Sequence, residues 1–527
     1  MNLYQRMLDA AIAAGDGDAF RLADGSAVGH QALHARVGVL AAHLQRLGVE
    51  AGDRVAVQVE KSLDNVVLYL ATLRCGGVYL PLNSAYTGAE IAYFIDDAQP
   101  RLLVCDPAAE AALAGIAASH AGMALRTLDG EGCGSLFETL DPASTEAAVV
   151  ERADEDLAAI LYTSGTTGRS KGAMLSHGNL HANAATLRAL WGWRRDDVLL
   201  HTLPIYHVHG LFVALHCALL EPSPVLLLPR FDAAEVVRRL PEATVYMGVP
   251  THYVRLLDEA AFDADACASM RLFVSGSAPL LPETFAAFEA RTGQRILERY
   301  GMTEAGMITS NPLLGPRVAG TVGPPLPDVE VRVVREDGSL AEVDEVGSLE
   351  IRGPNVFGGY WRNPDKTAES FRDGWFVTGD LVTRDADGRV SIVGRDKDLV
   401  ISGGLNVYPR EVEFELDALA GVRESAVIGA PHRDFGEAVV AVVVREPGDA
   451  AAGDEAVLEA RLIEALRARL AAFKVPKRIC FIDALPRNAM GKVQKNQLRD
   501  AFADLFVAGR PASEHSAYDV NALESGA

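Results

Sequence analysis

Residues 157–172 read LAAILYTSGTTGRSKG, an apolar run followed by a loop dense in Gly, Ser and Thr. The apolar run is typical of a buried strand. Glycines let a backbone approach an anion closely, hydroxyl groups donate to phosphate oxygens, and Lys171 adds a positive charge. We therefore predict a polyphosphate-binding loop, with a flexible polar loop as the alternative. The register GTTGRSKG differs from the P-loop of nucleoside triphosphatases, which needs four residues between Gly and Gly-Lys.

Apolar runs alternate with helical segments on both sides of this loop. RVAVQVE, RLLVCDP, PVLLLP, ATVYMGV and RLFVSGS predict strands, and LDNVVLYLATLRCGG and LPETFAAFEARTG predict helices. This alternation is typical of βαβ units with parallel sheets. From about residue 320, short runs separated by Gly and Asp turns predict antiparallel strands. The sequence therefore predicts an α/β fold, with a large N-terminal domain of stacked, mainly parallel sheets plus a small antiparallel β part.

A third pattern follows the charged stretch 394–398. YPREVEFELDAL predicts a helix, ESAVIGAP and AVVAVVVRE predict strands, and another helix and the strand RICFIDA follow. We expect a smaller, mobile α+β domain here. The expected divisions are an N-terminal domain 1–394, a hinge 395–398, a C-terminal domain 399–506 and a disordered polar tail 507–527.

Charge and length limit the possible partners. The 527 residues carry 49 Lys plus Arg against 71 Asp plus Glu, a net charge of −22. Such a surface repels nucleic acid and anionic membranes, so we expect neither as a partner and expect any anionic ligand to be held locally. No apolar run reaches the length of a membrane helix. The six cysteines are widely spaced, which favours a reducing compartment. Acidic residues interrupt the N-terminal apolar stretch, which is not typical of a secretory signal or a transit peptide. We expect a cytoplasmic protein.

Three further motifs are weak individually. Glu298-Arg-Tyr300-Gly301-Met302-Thr303-Glu304 combines an aromatic that can stack on a base with a carboxylate suited to Mg²⁺. Asp380, in Thr378-Gly379-Asp380, is expected at a strand end before a turn. There its carboxylate can either accept hydrogen bonds from ribose hydroxyls or have a structural role in the turn. Lys492 follows Gly491 at a predicted loop tip. The segment 474–499 around it has seven cations and one acid, which indicates either an anion site facing a cleft or a solvated helix face.

In order and wording, these motifs resemble the adenylate-forming superfamily of acyl-CoA synthetases, peptide-synthetase adenylation domains and luciferases, over about residues 10–500. The resemblance implies two steps. A carboxylate attacks the α-phosphate of ATP to give an acyl-adenylate and pyrophosphate, and a thiol such as that of coenzyme A then takes the acyl group. ATP, Mg²⁺ and coenzyme A are the implied cofactors.

The resemblance also implies roles for residues at matching positions. Ser164, Thr166 and Lys171 would contact the β- and γ-phosphates, and Glu304 would hold Mg²⁺ with Thr163 or Thr166. Asp380 and Arg395 would hold the ribose. The nucleotide site as a whole would comprise Thr163, Ser164, Gly165, Thr166, Thr167, Gly168, Lys171, Ser275, Gly276, Ser277, Ala278, Glu298, Tyr300, Gly301, Met302, Thr303, Asp380 and Arg395.

The remaining implied roles concern the two half-reactions. Lys492 would bridge the attacking carboxylate and the α-phosphate. Lys397 would be the hinge about which the small domain turns, bringing Ser402, Gly403 and Gly404 against pantetheine. Acetylation of Lys492 by a lysine acetyltransferase would remove the charge that the first step needs. His207 would gate the second step beside the acid.

Histidines 201, 207, 209 and 216 leave other interpretations open. A metal pair from His207-x-His209 with His201 or His216 lacks a carboxylate or Cys to complete it. His209 and His216 also suit satisfied core histidines.

The acid pocket is predicted from one helix and from closer wording. Pro250 begins a helix on which Arg255 could pair bidentately with a distal carboxylate, unless it pairs with Asp258 or Glu259 instead. Residues 59–87, 203–220, 298–312, 354–381 and 487–499 resemble malonyl-CoA synthetases, which accept malonate and often methylmalonate. Arg255, His207 and Met302 are the implied acid-binding residues. His252 stands where an apolar aromatic is commoner.

Other function classes remain as alternatives. A synthetase for another short-chain, medium-chain or aryl acid and a luciferase-like oxidase share every motif. A peptide-synthetase module would need a carrier domain, for which the tail is too short. A non-catalytic ATP-binding protein would be expected to lose Lys492 or Glu304, and both are present.

Overall fold

Helices and strands alternate along the chain as the sequence predicts. The computed structural model describes residues 1–140, 145–163, 170–395, 398–402, 405–432, 435–446, 455–470, 472–488 and 491–506. The helices are α1 Leu3–Ala14, α2 His30–Arg46, α3 Leu63–Arg74, α4 Gly88–Ala98, α5 Glu110–Ser119, α6 Ser135–Glu138, α7 His177–Leu190, α8 His216–Leu220, α9 Ala233–Arg239, α10 Pro250–Asp258, α11 Pro282–Thr292, α12 Pro364–Glu369, α13 Pro409–Asp417, α14 Glu455–Arg467 and α15 Lys495–Ala501.

The predicted apolar runs are strands. The strands are β1 Asp18–Leu22, β2 Ala27–Gly29, β3 Arg54–Gln58, β4 Val78–Pro81, β5 Leu102–Cys105, β6 Ala124–Thr127, β7 Leu157–Thr163, β8 Lys171–Ser176, β9 Leu199–His201, β10 Val225–Leu227, β11 Val245–Gly248, β12 Leu272–Ser275, β13 Leu297–Met302, β14 Gly306–Ser310, β15 Glu330–Val334, β16 Gly347–Arg352, β17 Phe371–Arg372, β18 Trp375–Arg384, β19 Val390–Arg395, β20 Val400–Ser402, β21 Leu405–Val407, β22 Val422–His432, β23 Gly436–Arg445 and β24 Arg478–Ile482.

Two sheets with parallel centres confirm the predicted α/β class. One has the order β14-β13-β12-β11-β9-β10-β1-β2, and the other has the order β6-β5-β3-β4-β7-β8. In the first sheet β13, β12, β11, β9, β10 and β1 are parallel neighbours. Parallel strands are covered on both faces, which is why they read as continuous apolar runs. Strand β11, for example, is buried at all four positions.

Helix α10 shows how one of these sheets is covered. Pro250 occupies its first turn as predicted, where a missing N–H costs nothing. Tyr253 and Leu256 are buried on its inner face, and the Tyr253 hydroxyl donates to the carbonyl oxygen of Val274 in β12 at 2.7 Å. Arg255 lies on the exposed face of the same helix. The packing of α10 therefore fixes where Arg255 is presented.

The chain divides into two compact units. The large unit comprises Met1–Arg332, Glu350–Val377 and Asp387–Val390, and the small unit comprises Val333–Leu349, Thr378–Ala386 and Ser391–Ala527. Strands β20 to β24 of the small unit form a mixed sheet in the order β21-β20-β23-β22, with β24 parallel to β23. The domain boundaries at residues 394 and 506 stay predictions. The tail 507–527 lies outside the described residues.

A further sheet follows the two parallel ones along the chain. It has the order β15-β16-β18-β17, with β19 beside β18. Strands β17 and β18 are antiparallel. The strands that the sequence predicts after residue 320 are therefore present. No helix in the described ranges combines the length and the apolar character that crossing a bilayer requires.

Asp197 ties together the amino ends of three neighbouring strands in the large unit. It is fully buried just before β9 and accepts from Thr244 Oγ1 at 2.9 Å, before β11, and from Arg271 Nε at 2.6 Å, before β12. Burial raises the pKa of Asp197, but the hydrogen bonds and charge of Arg271 outweigh it and hold that pKa below its usual value. The ion pair is thus part of the sheet edge opposite the carboxyl ends of these strands.

We expect Asp197→Ala to destabilise the protein by about 3 to 5 kcal/mol, because it leaves the Arg271 guanidinium without its counterion. Asp196→Ala is the matched control, since its side chain is 78% exposed and its loss should cost less than about 0.5 kcal/mol. The measurement is the urea midpoint of unfolding for both variants. Equal midpoints for both would contradict a structural role for the Asp197 ion pair.

Candidate active site

The predicted phosphate loop joins two paired strands. Strands β7 and β8 are antiparallel, and Thr163 lies opposite Lys171 in the ladder. Ser164, Gly165, Thr166, Thr167 and Gly168 fall between these two residues and lie outside the described residues. The structure therefore describes the two strands that border the loop.

Helix α4 holds both ends of this loop. The Tyr93 hydroxyl donates to the carbonyl oxygen of Ser170 at 2.6 Å, and the Tyr162 hydroxyl donates to the Asp97 carboxylate. The rings of Tyr162 and Phe94 pack with their centroids 4.6 Å apart. These contacts position the entry and exit strands of the loop against one rigid element.

Tyr360 lies between the cation and the carboxylate predicted for the phosphate end. Lys171 Nζ is 5.8 Å from the centroid of the Tyr360 ring, and the Tyr360 hydroxyl donates to Glu304 Oε1 at 3.0 Å. Burial raises the pKa of Tyr360, and Glu304 raises it further, so the hydroxyl stays protonated as a donor. Tyr360 was missed as a site residue, although it falls within the quoted stretch 354–381.

Glu304 is held in the connection between β13 and β14. Its carbonyl oxygen accepts from the Phe357 N–H at 2.8 Å, and Asn355 Nδ2 donates to the Ala305 carbonyl at 2.7 Å. The Glu304 side chain is 7% exposed. A buried, oriented carboxylate beside a phosphate loop fits Mg²⁺, which takes one or two carboxylates and otherwise phosphate oxygens and water.

The sequence left open a metal site made only of protein ligands, built on histidines. No group of three or more His, Cys, Asp or Glu residues suited to a metal occurs in the part of the chain that the structure describes. The histidine alternative built on His207 and His209 would need such a group. His216 is instead a buried core histidine whose Nε2 is 2.7 Å from the Tyr69 hydroxyl.

The carboxyl end of β12 carries a strained turn. Ser277 has a positive φ of 72°, a backbone conformation that residues other than Gly rarely adopt. Its Oγ lies 3.3 Å from His209 Nδ1. The Oγ of Ser275 is buried and has no hydrogen-bond partner in the described part of the chain. The predicted wall Ser275-Gly276-Ser277-Ala278 therefore lies at the carboxyl edge of the parallel sheet, where ligands bind in such folds.

Arg299 lies beneath this turn. A Cβ built on Gly276 would stand 2.3 Å from Arg299 Nη1, so only Gly allows the backbone to lie this close to the guanidinium. Arg299 is 3% exposed, and its Nε and Nη2 have no hydrogen-bond partners within the described ranges of the chain. Burial lowers its pKa to about 9, which leaves it charged at neutral pH. A buried cation with two unused donors is suited to a bound anion.

Two histidines line the same region. His209 begins a π-helix, His209–Leu215, and burial followed by the charge of Arg299 holds its pKa well below the usual value. His207 is half-buried, and its carbonyl oxygen accepts from the Leu211 N–H at 2.9 Å. The first residue of the π-helix thus places the neutral His209 ring at Ser277, and a backbone bond fixes His207 just before this helix. π-helical turns often occur at functional sites.

Helix α10 contributes the predicted carboxylate reader. His252 stacks on Phe231 with centroids 3.8 Å apart, and its Nδ1 is 2.9 Å from the Tyr246 hydroxyl. Burial and then the charge of Arg255 lower the pKa of His252 to about 3, so it is a neutral ring. Arg255 forms no ion pair with Asp258, Glu259 or any other carboxylate among the described residues. It therefore remains available to a ligand.

The small unit brings together the predicted ribose pair. Arg395 Nε is 3.0 Å from Asp380 Oδ1, and Asp380 is 4% exposed at its side chain. Its N–H donates to Thr378 Oγ1 at 3.1 Å. The expectation that Asp380 stands at a strand end is wrong, because β18 continues to Arg384 and Asp380 lies within it. The preceding Gly379, at φ 74°, marks an irregularity inside the strand rather than its end.

The basic segment 474–499 is largely neutralised within the small unit. Five of its seven cations form ion pairs with carboxylates from other segments, namely Lys474–Glu411, Arg478–Glu459, Arg487–Glu424, Lys495–Glu413 and Arg499–Asp398. The structural interpretation applies to those five. Lys492 is exposed, and a bond from its N–H to Asn488 Oδ1 at 3.0 Å fixes its backbone.

The structure thus gathers the predicted residues of each unit. Lys171, Glu304, the 275–278 turn, His207 and Arg255 belong to the large unit, and Asp380, Arg395 and Lys492 belong to the small unit. Tyr300, Gly301 and Met302 form the end of β13, followed by Thr303. Ser402 ends β20 and is buried. Lys397, Gly403 and Gly404 lie outside the described residues. Sequence reasoning missed Tyr360 and Arg299.

Comparison with known proteins is consistent with this arrangement. Residues 9–361 match the model of the "AMP-binding enzyme" family, and residues 411–492 match its "AMP-binding enzyme C-terminal domain". The mitochondrial malonate–CoA ligase ACSF3 of Mus musculus is 37% identical, over 89% of this chain and 86% of that protein. A feruloyl-CoA synthase of Amycolatopsis sp is 36% identical, over 91% of this chain and 94% of that protein.

A solved structure is more similar still. ATP-bound MatB from Rhodopseudomonas palustris matches with a TM-score of 0.92 and 52% identity. The match covers 96% of this chain and 99% of that one. The likeness therefore extends over both units.

Proposed function

The chain belongs to the family of AMP-binding enzymes, and from that premise we propose that it is an ATP-dependent, AMP-forming malonate–CoA ligase. In the first step a malonate carboxylate oxygen bonds to the α-phosphorus of ATP, and pyrophosphate leaves. In the second step the sulfur of coenzyme A bonds to the acyl carbon of malonyl-adenylate, and AMP leaves. Methylmalonate belongs to the same proposal.

The unpaired Arg299 guanidinium is the observation that carries the choice of acid. A monocarboxylic acid uses its one carboxylate in the reaction, so it has no further negative charge to neutralise the Arg299 guanidinium. Malonate keeps a distal carboxylate, which can accept from Nε and Nη2 of Arg299 together. Arg255, which has no carboxylate partner in the described residues, supplies a second cation from α10. We assign both arginines to the distal carboxylate.

Two of the relatives support the same acid, and a third supplies the second candidate. Malonate–CoA ligases of mouse and Arabidopsis thaliana are 37% and 35% identical to this chain. The feruloyl-CoA synthase, at 36% identity, makes an aryl acid the second candidate. A ferulate-sized aromatic has no second carboxylate, so it would leave the buried charge of Arg299 uncompensated. That cost favours malonate.

The roles at the nucleotide follow from charge. Lys171 and the loop that precedes it neutralise the β- and γ-phosphates, and Glu304, oriented by the Tyr360 hydroxyl, would hold Mg²⁺ together with Thr166. Mg²⁺, when bound, offsets negative charge on the phosphates. The 275–278 turn and Tyr300 form the wall for the adenine and α-phosphate. The Asp380 carboxylate, held by Arg395, accepts from the ribose hydroxyls.

Lys492 and the residues near Ser402 are assigned to separate half-reactions. Lys492 supplies positive charge where negative charge develops on the α-phosphate in the first step. Ser402, Gly403 and Gly404 belong to the thioester step. Lys397 is the hinge about which the small domain turns between the two steps. His207 gates access to the acyl carbon. A lysine acetyltransferase that modifies Lys492 would switch off the first step.

A cytoplasmic location completes the proposal. All six cysteines are free, and five of them are buried. Thiols kept free are typical of a reducing compartment.

The function is tested by pyrophosphate release from ATP and Mg²⁺ with acetate, butyrate, benzoate, ferulate, malonate, methylmalonate and succinate. We expect coenzyme A-dependent turnover with malonate and methylmalonate, because only acids of this length place a second carboxylate at the two arginines. Turnover with ferulate or benzoate and none with malonate would overturn the choice of acid. No turnover with any acid would overturn the enzymatic assignment.

Arg299→Met should raise the KM for malonate by about 30-fold or more, because it removes a buried charge and two donors from a charged ligand. The KM for ATP should change little. Arg255→Gln should raise the malonate KM by a smaller factor, because Arg255 is exposed. Steady-state kinetics with each substrate varied separately gives both constants. An unchanged malonate KM in both variants would assign the distal carboxylate to other groups.

Lys492→Ala should abolish malonyl-adenylate formation and spare thioester formation from supplied malonyl-adenylate. The physical reason is that the lysine charge stabilises the first transition state only. Single-turnover assays of the two half-reactions measure this separately. Lys477→Ala, within the same basic segment, is the control for a general effect of lost charge. Equal loss of both half-reactions in Lys492→Ala would contradict this role.

A further inference from the structure

Lys61 is a buried lysine that the proposed mechanism does not use. It follows the carboxyl end of β3 and is 7% exposed. Its Nζ donates to the carbonyl oxygen of His201, at the end of β9, at 2.9 Å. Among the described residues, this carbonyl is its one hydrogen-bond partner, and no carboxylate there forms an ion pair with it. The lysine thus joins the carboxyl edges of both parallel sheets.

The charge of Lys61 reaches the acid end of the site. Burial lowers the pKa of His252 most, followed by the charges of Arg255 and then Lys61. Burial and Lys61 likewise lower the pKa of His201. His209, in turn, is influenced by Arg299 and by His252. Lys61 and Arg255 therefore both act on the His252 ring, and Arg299 acts on the His209 ring, which His252 also influences.

A buried ammonium group is costly unless an anion accompanies it. One hydrogen bond to a carbonyl satisfies a single N–H of three and supplies no negative charge. Burial holds the pKa of Lys61 well below its usual value. Since the described protein groups provide no counterion, the charged form of Lys61 is favoured when a negatively charged ligand lies nearby. The proposed substrate brings a second carboxylate to this end of the site.

We propose that Lys61 is a specificity-determining residue, whose positive charge favours acids with two carboxylates over acids with one. The inference rests on the proposed malonate–CoA ligase function. Arg299 and Arg255 bind the distal carboxylate, and Lys61 raises the positive potential that this carboxylate experiences. In a low-dielectric pocket such a contribution does not require direct contact.

A purely structural role is the competing explanation. His201 also contacts the π-helix, because its Nε2 donates to the carbonyl oxygen of Gly210 at 3.0 Å. Loss of the Lys61 bond could therefore displace the π-helix and the histidines on it. Such a displacement would impair every acid equally, whereas loss of charge would impair only a charged distal group.

The test compares Lys61→Met with Lys61→Gln, using malonate and its monomethyl ester as acids. The ester keeps nearly the same size but removes the distal charge. Gln can still donate to the His201 carbonyl, whereas Met cannot. For both variants we expect kcat/KM for malonate to fall by about 30-fold or more. We expect kcat/KM for the ester to change by less than about threefold, because an uncharged distal group gains nothing from Lys61.

The opposite patterns would overturn the inference. An equal fall for malonate and ester, or a fall in Lys61→Met alone, would assign Lys61 to positioning through the His201 bond. Failure of both variants to fold would assign it to stability. Arg238→Gln, an equal charge change at an exposed residue of α9, controls for long-range charge and should leave both acids unaffected.

The same assays separate this inference from the function on which it rests. If the wild-type protein does not use malonate, the proposed function fails. If the wild-type protein uses malonate and Lys61→Gln does so equally well, the function stands and the role of Lys61 fails. The KM for ATP, measured in each variant, should stay within about twofold of wild type, because Lys61 is assigned to the acid and the binding of the nucleotide is unchanged.

Discussion

The constraint on which the site depends is uncompensated positive charge at the carboxyl edge of two parallel sheets. Among the residues that the structure describes, the Arg299 guanidinium is buried against the backbone of Gly276 with two donors unused, and Lys61 is buried with a single carbonyl partner. Folding alone does not favour such groups, because a desolvated cation is costly. Under the proposed function, a bound dianion would offset this cost, so the charge arrangement would make the choice of acid part of the fold.

The rest of the large unit holds this charge in place. Asp197 pins the amino ends of β9, β11 and β12, while the carboxyl ends of the same strands lead into the histidines, α10 and the 275–278 turn. At the phosphate end, α4 holds both strands that border the loop, and Tyr360 connects Lys171 with Glu304. Rigid elements thus position the groups at each end, which is what transition-state stabilisation by fixed charges requires.

Much of the fold could be predicted from the sequence because its signals are local. Parallel strands such as β5 and β11 read as apolar runs, and Pro250 marks the start of α10. The contacts that position the site residues at the phosphate end and at the acid end are different, because they join residues distant in the chain. Lys61 and His201 are 140 residues apart, and Tyr360 and Glu304 are 56 apart. Likewise, no local count could reveal that remote carboxylates neutralise most of segment 474–499.

In the proposed function the buried Arg299 binds the distal carboxylate of the acid. A crystal structure with bound malonyl-adenylate tests it most directly, because the atoms in question can be located. We predict that the distal carboxylate accepts from Nε and Nη2 of Arg299 at about 2.7 to 2.9 Å. A distal carboxylate directed away from Arg299, with both donors still unused or bound to water alone, would contradict it.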